Sequence, residues 1–410
     1  MKRLFFLLVW AQIMILDAQA QLFMVKGRTY PVGPNPCAIA CADLNGDDYL
    51  DIVTTDRGIL TDTREQRPAN DELSILLGGA DLGFEKLHPS LKTDFGPYAV
   101  VLANIDAMKW PDIIVASFHA TRGHPVSLFL NLKPEGIFRP YEFAVPLDKL
   151  DYARHRDGDN QPIFTLPGIT ALAVQDLNGD GLRDLVATAW SCDSIFVFSG
   201  HAETYFAAPV HFAAPGGPRD LVLADFNADN ATDMAVAMYA TGEIALWRGN
   251  PKGEFTPAGR FPTRGRLPVA IATADFDGDG RRDLAVAHGH ADDSIVVFYG
   301  DGNFGFSISQ EILLAPERER IEAEIRDLVA EDVSGDGRAD LVAACHASRE
   351  VAVCVNQEAA GGLPRFAIER YTFPEGRPRA ICTGDFDRNG SKDLAVALWD
   401  VNAVGLMIRR

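Results

Sequence analysis

The chain has 410 residues, 57 Asp and Glu against 38 Lys and Arg, and a formal net charge of −19. That balance argues against a nucleic-acid binder, which needs a basic face, and against docking on anionic lipid. Hydrophobic residues at 47% supply a large core, and 36 Gly with 24 Pro suit a turn-rich β protein.

Residues 1–20, MKRLFFLLVWAQIMILDAQA, read as an export signal. Lys2 and Arg3 form a basic start, Leu4 to Leu16 an apolar stretch, and Ala18-Gln19-Ala20 a small-x-small cleavage site. No later apolar stretch is long enough to span a membrane. The mature protein is expected to begin near Gln21 and to be secreted or periplasmic. It is expected as a monomer with no membrane insertion.

A nine-residue pattern then recurs seven times. It reads DLNGDDYLD from Asp43, NIDAMKWPD from Asn104, DLNGDGLRD from Asp176 and DFNADNATD from Asp225. It continues as DFDGDGRRD from Asp275, DVSGDGRAD from Asp332 and DFDRNGSKD from Asp385. Successive copies start 49 to 72 residues apart. The residues left over, from the last copy through the two termini to the first, amount to one more repeat length. A ring closes this way; a linear solenoid has no reason to.

Each unit has one local grammar. A short apolar run precedes the loop, a second follows it, and a third such as SIFVFSG or SIVVFYG comes next. A Gly-containing turn leads to a fourth run, expected to start at Phe84, Phe138, Phe206, Phe255, Phe306 or Phe366. Such runs, bounded by Gly, Pro and Asp, are strands. Proline stands seven residues before the loop at Pro36, Pro97, Pro218, Pro268 and Pro378. A missing N–H is tolerable there, at the first position of a strand. Four antiparallel strands in seven units make an all-β, seven-bladed β-propeller over residues 21–410. After Asp393 the chain is one strand short, so the N-terminal LFMVKGRTYPVG is expected to complete blade seven.

These units resemble the FG-GAP/VCBS repeat family, which also builds the propeller of integrin α subunits. The motif D-x-[DN]-x-[DN]-G-x-x-D stands in near-complete form six times. The resemblance implies a calcium-binding propeller and says little about its ligand, because members include adhesion receptors, lectins and polysaccharide-processing enzymes.

Calcium takes roughly six to eight oxygens, and a tight loop with acids or amides at positions one, three, five and nine supplies most of them. Position six must accept a left-handed backbone, hence Gly, Asn or Asp. Six loops meet both demands. They are Asp43, Asn45, Asp47, Asp51 with Asp48 at the bend, and Asp176, Asn178, Asp180, Asp184 with Gly181. Next come Asp225, Asn227, Asp229, Asp233 with Asn230, and Asp275, Asp277, Asp279, Asp283 with Gly280. The last are Asp332, Ser334, Asp336, Asp340 with Gly337, and Asp385, Asp387, Asn389, Asp393 with Gly390. Together they hold nineteen of the Asp residues. About six structural Ca²⁺ are expected. The second copy keeps Asn104, Asp106 and Asp112 but has Met108 and Lys109 at positions five and six. A thioether is a poor ligand for a hard cation, so no metal is expected there, and Lys109 is expected to pair with the carboxylates.

Strand direction puts the metal loops on one face and the loops between second and third strands on the other. The long segments 56–72, 144–167 and 310–325 all fall on the second face, where binding loops tend to lie. Ring-bearing side chains follow the second strands there: His119, Trp190, Tyr239, His288, His290, His346 and Trp399. Arg219, Arg326 and Arg379 are expected near the axis. Rings stack on sugars and peptides, and Arg grips carboxylates. The reading is an adhesion- or lectin-like binder of an extracellular protein or glycan. The alternative is a polysaccharide-active lyase or hydrolase on the same scaffold, although no G-x-S-x-G or H-E-x-x-H is present. Six cysteines are too few for a disulfide scaffold, but Cys345 and Cys354 flank an expected hairpin and can pair across it.

Overall fold

The computed structural model describes residues 21–58, 60–62, 67–68, 70–106, 108–120, 123–133, 137–141, 168–289, 292–314, 323–358 and 362–410. The export signal, His290 and the segment 144–167 lie outside them.

Seven four-stranded antiparallel blades stand around one axis. Every second strand begins at the Asp that ends the nine-residue loop: Asp51, Asp112, Asp184, Asp233, Asp283, Asp340 and Asp393. The five repeated prolines each open a first strand, from Pro36–Ala42 in blade one to Pro378–Gly384 in blade seven. Blade seven takes its outermost strand from the N-terminus, where Phe23–Pro31 pairs antiparallel with Ala403–Arg409. The ring is thus closed by hydrogen bonds between its two ends, and no blade is left a strand short.

The second strands are buried along their whole length because each lies between neighbours in its own blade and between two other blades. The core is accordingly divided into apolar clusters, one between each pair of adjacent blades. Small residues alternate with Val, Ile and Leu there, as close sheet-on-sheet packing requires.

Some boundaries differ from the sequence reading. In blade three Phe206 sits in a side hairpin, and the fourth strand is Val210–Ala213. Phe255 and Phe306 precede the fourth strands Thr256–Pro262 and Ile308–Leu313 instead of opening them. Residues 310–313 therefore belong to blade five, not to a loop. Cys345 and Cys354 are not paired. Cys345 lies opposite Glu350 and Cys354 opposite Leu341, and all six cysteines are free thiols.

Candidate functional site

The first and second strands of every blade run in opposite directions, so their ends define two faces about 20 Å apart. The acidic loops occupy one. In each complete loop the backbone is left-handed at position six, with φ of 67° at Asp48, 64° at Asn230 and 85° at Gly280. It is also left-handed at position four, where the residue is Gly in four loops but Ala228 and Arg388 in two. Two turns in this sense fold the loop around its first carboxylate. Asp275, for example, accepts the N–H groups of Gly278 at 2.7 Å and Gly280 at 2.8 Å.

The ninth carboxylate has a different task. Asp283 accepts the N–H of Phe276 at 2.8 Å and that of Gly300 at 2.8 Å, pinning the loop to the end of the third strand. Burial pushes Asp283 and Asp51 up to about 7, offset by these N–H donors and reinforced by the neighbouring loop carboxylates. Carboxylates crowded against their own repulsion are the donor set a hard cation relieves. Oxygens of Asp275, Asp277 and Asp283 lie within 4.8 Å of one another, as do those of Asp385, Asp387 and Asp393.

The second copy is rebuilt around an aromatic ring. Lys109 does not pair with the carboxylates; its ammonium lies 4.3 Å from the Trp110 ring centre. Trp110 in turn packs against the blade-one loop, so closely that a Cβ at Gly46 would fall 2.1 Å from its Cη2.

The opposite face is organised by two repeated positions. One is the second residue of each first strand: Cys37, Tyr98, Thr170, Arg219, Val269, Arg326 and Arg379. The other directly follows each second strand: Arg57, Phe118, Trp190, Tyr239, Gly289, His346 and Trp399. Side chains from both converge on a funnel of about 420 Å³. Its lining includes His119, Trp190, Tyr239, His346, Trp399, Arg219, Arg326 and Arg379. His288 is not among them. It is the last residue of its second strand, one place short of the funnel position, and a one-residue offset turns a strand side chain to the other face. It is fully buried beneath Gly265, with Nδ1 3.4 Å from the Ser294 carbonyl oxygen.

Arg57, Tyr98, Phe118 and Val269 complete the funnel and were not singled out from the sequence. Tyr98 is central. Its hydroxyl accepts from Arg219 and, at 2.9 Å, from Arg379. Three guanidinium carbons surround its ring, Arg57 at 5.7 Å, Arg219 at 5.0 Å and Arg379 at 5.7 Å from the centre. Burial pushes the phenol up, but Arg219, Arg379 and Arg57 outweigh it, leaving Tyr98 below its ordinary value. Burial and the Arg57 charge push His119 down to about 4, so it is a neutral imidazole at physiological pH. Among the described residues neither of its ring nitrogens has a hydrogen-bond partner. Trp190 stacks on Phe118 with 5.8 Å between ring centres. Arg326 pairs with Glu324.

An FG-GAP-like repeat profile matches residues 176–236, 225–286 and 275–343. The chain carries FG-GAP-like repeats. These three matches overlap on blades three to six and begin at acidic loops. Mouse cartilage acidic protein 1 is 30% identical over 151 residues, which is 33% of this chain and 23% of that protein. The human protein of the same name is 29% identical over 148 residues, 32% and 22% respectively. The matched part of the chain thus spans under a quarter of these relatives. Among solved structures, BBS1N in its complex with ARL6DN superposes with a TM-score of 0.62 at 16% identity, over 95% of this chain and 98% of that one. Virginiamycin B lyase from Staphylococcus aureus gives 0.56 at 12% identity, over 95% and 100%. These two similarities establish the propeller fold. Among the described residues no helix is long and apolar enough to cross a membrane.

Proposed function

We propose that this FG-GAP-like propeller is secreted, is stabilised by calcium in its six complete acidic loops, and binds an extracellular protein or carbohydrate in the funnel on the opposite face. The convergence of eleven ring-bearing and arginine side chains on one cavity carries this reading. A concave site with flat apolar walls and a few convergent polar groups is how small ligands and chain segments are held. The loops serve the fold: they join strands within a blade, lack flanking helices, and stand a strand's length from the funnel. A glycan array probed with and without chelator tests the proposal. Binding that depends on funnel residues supports it. Binding that survives replacement of Trp190 and Trp399 contradicts the assignment of the site.

A second reading, a polysaccharide-active enzyme, is favoured by one observation. Tyr98, with its lowered phenol, and the neutral His119 stand in the same cavity as the arginines. A base beside a charge clamp is what proton abstraction next to a carboxylate needs. New unsaturated ends after incubation with polysaccharide would favour this reading over simple binding.

A further inference from the structure

The funnel is cationic in a chain whose net charge is −19. Of its four arginines, Arg326 alone has a carboxylate partner among the described residues, Glu324. Among the described residues Arg57 makes no ion pair, and its buried Nε has no hydrogen-bond partner. Arg219 and Arg379 spend one donor each on the Tyr98 hydroxyl, which is a neutral acceptor when protonated. Asp220 and Asp327 form no ion pair with them among the described residues, although the Asp327 charge favours the charged form of Arg379. Asp220 accepts the N–H groups of Leu221 at 2.9 Å and Ile271 at 2.9 Å. Asp327 accepts those of Leu328 at 2.9 Å and Ile381 at 2.8 Å. Both carboxylates are thereby committed to tying adjacent blades together.

Three guanidinium groups with donors to spare, converging on one axis, are built for an anion. Their surroundings narrow the choice. The cations Arg219 and Arg379 lie on the inner ring of positions, and the flat faces of Trp190 and Trp399 on the ring above. A ligand that satisfies both must carry its charge within one ring's width of an apolar face. A uronate sugar does this in a single residue, whereas an acidic peptide side chain would have to bring its solvated backbone into a 420 Å³ cavity.

We infer that the funnel binds an acidic glycan, with a uronate carboxylate on Arg57, Arg219 and Arg379 and sugar faces on Trp190 and Trp399. This rests on the reading that the funnel is the ligand site. The test is calorimetric titration of the full mature protein in calcium with oligogalacturonate, oligomannuronate and hyaluronan fragments, each against its carboxyl-methylated match. The acids are expected to bind at least ten times more tightly than the esters and to weaken with salt. Arg57→Gln is expected to lose at least tenfold in affinity with an unchanged melting temperature, and Trp399→Ala to lose at least tenfold in affinity. Equal affinity for acid and ester overturns the carboxylate assignment and leaves the funnel standing as a glycan site. Failure of every acidic glycan to bind overturns the acidic-glycan inference. Tight binding untouched by both substitutions overturns the inference and the funnel reading together.

Discussion

Asp112 accepts the backbone N–H of Asn131 at 2.8 Å, in the one loop that has lost its central acid. Its other oxygen takes the N–H of Ile105 at 2.8 Å. Matching pairs of bonds are made by the ninth Asp of the other loops, such as Asp51 to Leu44 at 2.8 Å and Gly78 at 2.7 Å. This explains why the ninth Asp survives where positions five and six have changed: it is a backbone pin whether or not a metal is bound. Asp112→Ala leaves two buried donors unsatisfied, which costs about 1–3 kcal/mol each. Denaturant unfolding is expected to show a loss of about 2–6 kcal/mol with the calcium content unaltered. A loss below about 0.5 kcal/mol, typical of an ordinary surface change, would refute the pin.

Gly46 is required twice over. Its φ is 79°, and Trp110 occupies the space a Cβ would need. Gly46→Ala is expected to destabilise by more than the ~1 kcal/mol of a left-handed Ala alone. Adding Trp110→Ala relieves the clash but not the backbone strain. The double variant should therefore lose less than the two single losses combined. Strict additivity in the cycle would show that the two residues do not press on each other.

The acidic loops set a pH dependence that calcium should reverse. Burial holds Asp51 and Asp283 up near 7, and Asp112 and Asp233 near 6, against an ordinary carboxylate value near 4. Between those limits the folded chain holds more protons than the unfolded one, so stability falls as pH rises. The depressed His119, His288 and His346 act in the opposite sense but are fewer. In chelator, the melting temperature is expected to be higher at pH 5 than at pH 7.5. Calcium binds the charged form and the folded state, so its addition should raise the pH 7.5 value most. A melting temperature indifferent to calcium at pH 7.5 would rule out structural metal.

Thiol chemistry should single out one residue. Cys41 is partly exposed, and its thiol is lowered by the hydrogen bond it shares with Cys382. Burial pushes Cys345 and Cys354 up to about 12. Iodoacetamide on the native protein is therefore expected to modify Cys41 first and to spare Cys345 and Cys354 until unfolding. Peptide mapping that finds Cys345 labelled at an equal rate would contradict this.

The blades were legible in the sequence because their signals are local. A leading proline, a left-handed sixth position and an Asp at the ninth each act within one loop. The fourth strands were less legible, since their Phe residues mark turns as often as strand starts. Position four escaped notice because Ala228 and Arg388 adopt a backbone usually left to glycine. At the funnel the types of residue were right and one register was off. Counting from the ninth Asp excludes His288 and brings in Arg57 and Phe118. Counting from the leading proline brings in Tyr98 by the rule that gave Arg219 and Arg379. Lys109 and the cysteines failed for another reason: charge and spacing did not reveal that Trp110 fills the loop, or that Cys345 faces Glu350.

Two faces with separate tasks are tested most directly by hydrogen–deuterium exchange of the full mature protein, with calcium against chelator. Calcium is expected to slow exchange at the six complete loops and to leave 104–112 unchanged. The funnel segments that carry Tyr98, Trp190, Arg219 and Tyr239 should keep their rates. Protection of the funnel in place of the loops, or no change at either face, would contradict the account.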